Sequence, residues 1–133
     1  MYLPKVLYPE ELLPNKRADH INQVWHAIMS MNIIEVAEAL VDEVEFHESS
    51  KEEFLEMLSD RFRKHRILKD EKFYLNITHC FKIHKDEIIH EFIGMESGIN
   101  LGLIFDITKD RITGVKFCNC FGGIFNLDNY YHW

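Results

Sequence analysis

The first apolar stripe sits at helical spacing. Ile21, Val24, Trp25 and Ile28 follow the i, i+3, i+4, i+7 rule, while His20, Asn22, Gln23 and His26 fall off it. Ser30-Met31-Asn32 interrupts the pattern. Asn32 suits an N-cap and Glu35 completes an Asn form of the capping box, so a second helix is predicted to about Val41. Its buried stripe is Ile33, Val36, Ala37 and Leu40. Residues 42–48 then alternate as a short strand, with Val44, Phe46 and Glu48 on one face and Glu45 and His47 on the other. Ser50 with Glu53 forms a second capping box and opens a third helix, whose stripe is Phe54, Leu55, Leu58 and Phe62. Arg61, Arg63, Lys64, Arg66 and Lys69 close it, and cations complement the negative end of a helix dipole.

From residue 73 the period changes to two. Phe73, Leu75, Ile77, His79 and Phe81 alternate with Tyr74, Asn76, Thr78, Cys80 and Lys82. A turn at 84–87 leads to a strand over 88–96, Ser97-Gly98 to a strand over 99–107, and a turn at 108–111 to a strand over 112–121. Gly122-Gly123 ends the pattern. Helices followed by a strand meander predict an α+β fold. Three N-terminal helices would pack on a strongly bent antiparallel sheet, a cone with room for an apolar hollow. The domain is expected over 18–121, between an arm at 1–17 punctuated by Pro4, Pro9 and Pro14 and an aromatic tail at 122–133.

Composition narrows the function classes. A chain of 133 residues suits one domain, and 47% hydrophobic with 13% aromatic residues opposes disorder. A net charge of −7 lacks the field that attracts phosphate backbones, so no nucleic-acid partner is expected. Apolar runs such as 101–105 fall far short of the ~20 residues of a membrane-spanning helix, and residues 1–16 lack an export leader's apolar stretch. No membrane partner and a cytoplasmic location are expected. Three cysteines is an odd count, and Cys118-x-Cys120 is not C-x-x-C spacing, which points to reduced thiols. His47, His79, His84, His90 and Cys80 are ligand types without a metal motif's spacing. No glycine-rich phosphate loop occurs, so neither a metal nor another cofactor is expected.

The element order, with the segments 31–35, 40–48 and 104–112, resembles the nuclear transport factor 2-like superfamily, in particular its SnoaL-like and ketosteroid-isomerase-like branch. The resemblance implies a cystatin-like cone. It also implies a carboxylate general base at the end of the first strand, a position that falls on Glu48 when counted from Asn32. Glu48 shares the parity of Val44 and Phe46, and a carboxylate facing an apolar hollow has a raised pKa suited to proton transfer. The family's two oxyanion donors map to Val24 and Leu101, which cannot donate a hydrogen bond, so steroid-type isomerisation is not expected.

Two histidines offer other chemistry. His79 and His90 share the apolar parity of neighbouring strands and would approach each other if those strands pair around the 84–87 turn. The leading expectation is a SnoaL-like domain binding a small apolar or aromatic molecule among Trp25, Ile28, Phe46, Phe54, Leu101, Leu103 and Phe117. The first alternative is a cofactor-independent isomerase, cyclase or dehydratase using Glu48 with His79 or His90 as catalytic residues. The second is a protein-interaction module. A homodimer through the sheet face is expected, aided by the aromatic tail residues Phe125, Tyr130, Tyr131 and Trp133.

Overall fold

The structure, a computed structural model, describes residues 5–7, 19–41, 44–47, 49–79, 88–109 and 111–118. The element order is β1 (Lys5–Leu7), α1 (Asp19–Met29), α2 (Ile33–Ala39), β2 (Glu45–Phe46), α3 (Lys51–Ile67), β3 (Phe73–His79), β4 (Ile88–Gly94), β5 (Asn100–Thr108) and β6 (Arg111–Phe117). The fold is α+β, with three helices ahead of the strand meander. Glu48, Cys80, Cys120, the 84–87 turn and the tail over 122–133 lie outside the described residues.

The six strands lie in the order β1-β3-β4-β5-β6-β2. Neighbours among β1, β3, β4, β5 and β6 run antiparallel, as the meander predicts. β2 differs and pairs parallel with β6, through Glu45 with Gly114 and Phe46 with Val115. A helix and three strands separate β2 from β6, so no local turn fixes their relative direction. β1 falls within the expected arm and adds an edge to β3, pairing Lys5 with Ile77 and Leu7 with Leu75.

Capping follows the sequence closely. Asn32 accepts from the Glu35 N–H at 3.2 Å. Ser50 Oγ accepts from the Glu53 N–H at 3.1 Å while Glu53 accepts from the Ser50 N–H at 3.2 Å, a complete box. Both α1 and α3 end in Schellman motifs. The Asn32 N–H reaches the Ala27 carbonyl and the Met31 N–H the Ile28 carbonyl, each at 2.9 Å. At the end of α3 the same pattern joins Asp70 to His65 and Lys69 to Arg66, each at 3.0 Å. The left-handed residues are Met31, at φ 55°, and Lys69, at φ 72°.

Helices α1 and α3 pack on one face of the sheet. Phe62 of α3 packs against Phe73 of β3, Phe54 against Phe117 of β6, and Trp25 of α1 against His90 of β4. The main core lies in this layer and includes Val24, Ile28, Leu58, Leu75, Phe92, Leu101 and Leu103. Ile89, Ile104 and Cys118 form a smaller buried cluster on the opposite parity. No helix among the described residues is long and apolar enough to cross a membrane.

Candidate functional site

Strand alternation sets the site. On β4, His90 shares its face with Phe92, while the ladders put Ile77 of β3 and Leu103 of β5 beside it. The α1 stripe delivers Trp25 to the same place. Its ring centroid lies 5.0 Å from that of His90 at a 43° tilt, and Phe105 of β5 meets the imidazole edge-on at 4.9 Å. His90 is only 4% exposed. Burial, with no acidic partner, pushes its pKa down to about 4, so the ring is neutral near pH 7.

Both rings carry an unanswered polar atom. Trp25 Nε1 and His90 Nδ1 are buried without a hydrogen-bond partner among the described residues. Such atoms are rare in folded proteins, and each costs about 1–3 kcal/mol. The indole can only donate, and a neutral imidazole has one donor and one acceptor nitrogen.

All seven side chains expected to line a hollow belong to one cluster. Ile28, Phe54, Leu101 and Leu103 are buried in it, and Trp25, Phe46 and Phe117 are half-buried against it. Phe46, Phe54 and Phe117 form a chain of rings with successive centroids at 5.3 and 5.0 Å. Val24 and Leu101, the apolar residues at the two donor positions, are both fully buried. Of the candidate acid–base residues, Glu48 lies outside the described residues, as does the side chain of His79. The backbone register pairs His79 with Ile88 and Ile77 with His90, so the two histidines are offset by two positions along the ladder, within the couple of residues expected.

Sequence reasoning missed a second polar centre. His65, on the last turn of α3, donates from Nδ1 to Asp70 Oδ2 at 2.7 Å. The loop between β4 and β5 completes the carboxylate's shell. The Glu96 and Ser97 N–H groups each reach Oδ1 at 2.8 Å, and Ser97 Oγ donates to Oδ2 at 2.6 Å. Burial raises the Asp70 pKa, but the bonds from Ser97, His65 and the Glu96 N–H outweigh it and hold the carboxyl below its usual range. Burial also lowers the pKa of His65, more than Asp70 raises it. Ser97 donates to the carboxylate and not to the imidazole, so this is not a nucleophile–base arrangement. A cleft of about 400 Å3 lined by Arg66, Lys69, Asp70 and Glu71 opens beside it.

Two further polar groups complete the picture. Glu91, on the sheet face away from Trp25, accepts from Asn76 Nδ2 at 3.1 Å and Asn100 Nδ2 at 2.9 Å, and burial pushes its pKa up. At the other end of the sheet His47 pairs with Asp106 at 2.5 Å and lies 3.7 Å from Glu45. Among the described residues no three His, Cys, Asp or Glu side chains gather as metal ligands would.

No family model, no curated protein and no solved structure matches the chain.

Proposed function

We propose that the chain is a SnoaL-like domain of the nuclear transport factor 2-like superfamily that binds a small apolar or aromatic molecule between its helices and its sheet. The carrying observation is that the neighbouring rings of Trp25 and His90 each hold a buried polar atom without a partner among the described residues, in apolar surroundings. Apolar walls with a few converging polar groups are the usual make-up of a small-molecule site. The element order and the packing of α1 and α3 on one sheet face support the family reading. The strongly perturbed His90 adds to it, because such groups concentrate at functional sites.

Acid–base catalysis with Glu48, His79 and His90 ranks second. A conjugate acid of pKa about 4 is largely absent at neutral pH and leaves His90 a weak base. The protein is read as cytoplasmic and as a homodimer through its sheet face.

The test is a titration with small neutral aromatic compounds, followed by amide and indole NMR signals. Saturable shifts confined to α1, β4 and β5 are expected. A compound present at about 100 times its Kd should also stabilise the fold by about 2.7 kcal/mol. If every compound leaves the Trp25 and His90 signals unmoved at its solubility limit, the binding reading is wrong. Light scattering that finds only monomer would remove the homodimer.

A further inference from the structure

We infer that the interior site recognises its ligand through one uncharged hydroxyl group, which accepts a hydrogen bond from Trp25 Nε1–H and exchanges one with His90 Nδ1. This rests on the proposed small-molecule reading and names the ligand's chemistry. Two observations carry it.

The first is complementarity. Trp25 supplies a donor and nothing else, while the proton of a neutral His90 can sit on either nitrogen. A hydroxyl oxygen has one proton to give and two lone pairs to offer. It therefore satisfies the indole and Nδ1 together in either imidazole tautomer. An ether can only accept, and a hydrocarbon leaves both atoms unanswered. The two rings are neighbours, with centroids 5.0 Å apart, and each carries one buried polar nitrogen without a partner among the described residues.

The second is charge. The ring contacts and ladder neighbours of His90 are Trp25, Phe105, Ile77 and Leu103, none of which is ionisable. Two of the buried or half-buried basic groups of α3 are engaged elsewhere: Lys64 pairs with Asp60 at 3.2 Å, and Arg61 donates to the Asn100 carbonyl at 3.2 Å. A carboxylate ligand would lose its hydration without a counter-charge. The class that fits is a phenol or an alicyclic alcohol with an apolar body.

The experiment compares 2-naphthol, 2-methoxynaphthalene, naphthalene and 2-naphthoate on the intact chain, reading the indole N–H and imidazole signals. The naphthol should bind about tenfold tighter than naphthalene and tighter than the methoxy compound, with the naphthoate weakest. Trp25→Phe and His90→Phe should each shrink the naphthol's advantage over naphthalene from about tenfold to within about twofold. Equal binding of naphthol, ether and hydrocarbon at these signals would overturn the hydroxyl assignment and leave the pocket standing. Preference for the naphthoate would overturn it as well. Binding of none of the four at Trp25 and His90 would sink the pocket reading itself. The four-ligand series on the unmodified chain keeps the inference testable if either variant fails to fold.

Discussion

His65 and Asp70, five positions apart across the end of α3, form a hydrogen bond of 2.7 Å with both side chains fully buried. The carboxylate also holds the loop after β4 through two N–H groups and the Ser97 hydroxyl. One side chain thus ties the end of a helix to a hairpin of the sheet. Gly94 allows the approach, since a methyl group there would collide with the Asp70 carboxylate. The remaining nitrogen, His65 Nε2, is buried without a partner among the described residues, while Phe73 packs edge-on to the ring at 4.7 Å.

Removing the carboxylate should therefore cost more than removing any one of its donors. Asp70→Ala strands four donors at once and is expected to cost about 3–5 kcal/mol. Ser97→Ala removes the hydroxyl's bond to Asp70 and the one it accepts from the Ile99 N–H at 3.1 Å, and should cost about 1–2 kcal/mol. Urea unfolding of the two variants checks the order. Equal losses would show that the loop, not the carboxylate, carries the stability.

Acid should unfold the chain early, and the sign follows from three groups. His90 has a folded pKa of about 4 against 6.5 unfolded, so between these values the unfolded chain binds more protons. Stability then falls as pH drops from about 6.5 to about 4, by about 3 kcal/mol for this one residue. His65, also lowered from 6.5, acts in the same direction. Asp70, held below 3.8, adds a loss at still lower pH, as the solution passes from the unfolded to the folded value. His90→Phe should keep or raise stability near pH 7 and flatten the slope down to about pH 4. An unchanged slope in denaturant midpoints measured across this range would contradict the burial of the imidazole.

The two left-handed residues should respond in opposite ways to glycine. Lys69 is exposed at φ 72°, so Lys69→Gly removes backbone strain and loses little packing. A gain of about 0.5–1 kcal/mol is expected. Met31 has the same backbone role at φ 55° but is only 1% exposed and belongs to the main core. Met31→Gly forfeits that burial and should lose about 1–3 kcal/mol net, because the cavity outweighs the relieved strain. Thermal unfolding of the pair decides the matter, and two shifts of the same sign would refute it.

These motifs also mark what the sequence could and could not convey. Elements written locally were legible: the stripe Phe54, Leu58, Phe62 behind the Ser50–Glu53 box, and the alternation of Val44, Glu45 and Phe46. Relations across the chain were not. The parallel pairing of β2 with β6 and the edge strand β1 depend on partners far away in sequence. The register of β3 on β4 was legible only to within a couple of residues, because it depends on how the chain reverses. His65 was hidden in a run of cations that the helix dipole already explained, Ser97 read as a turn residue, and nothing local marks Asp70. Trp25 and His90 were both legible as inward-facing. Their pairing was not, because nothing local sets which helix residue meets which strand residue.

His20 was read as a polar residue off the α1 stripe, yet it is only 9% exposed. Its Nε2–H donates to the Ala39 carbonyl at 2.8 Å, and its Nδ1 accepts from the Ile112 N–H at 3.0 Å. An amide N–H can only donate, so Nδ1 carries no proton and the ring is the neutral Nε2–H tautomer. The imidazole thereby joins the end of α2 to the start of β6 through α1. His20→Ala leaves a buried amide and a carbonyl without partners and should cost about 2–4 kcal/mol. It should also speed hydrogen exchange at the Ile112 amide far more than at Val36, whose bond to the Asn32 carbonyl is untouched. His20→Phe, similar in ring size but unable to bond, should lose about as much stability as His20→Ala if the two hydrogen bonds dominate. Recovery of most of the stability by His20→Phe would assign the residue's role to packing instead.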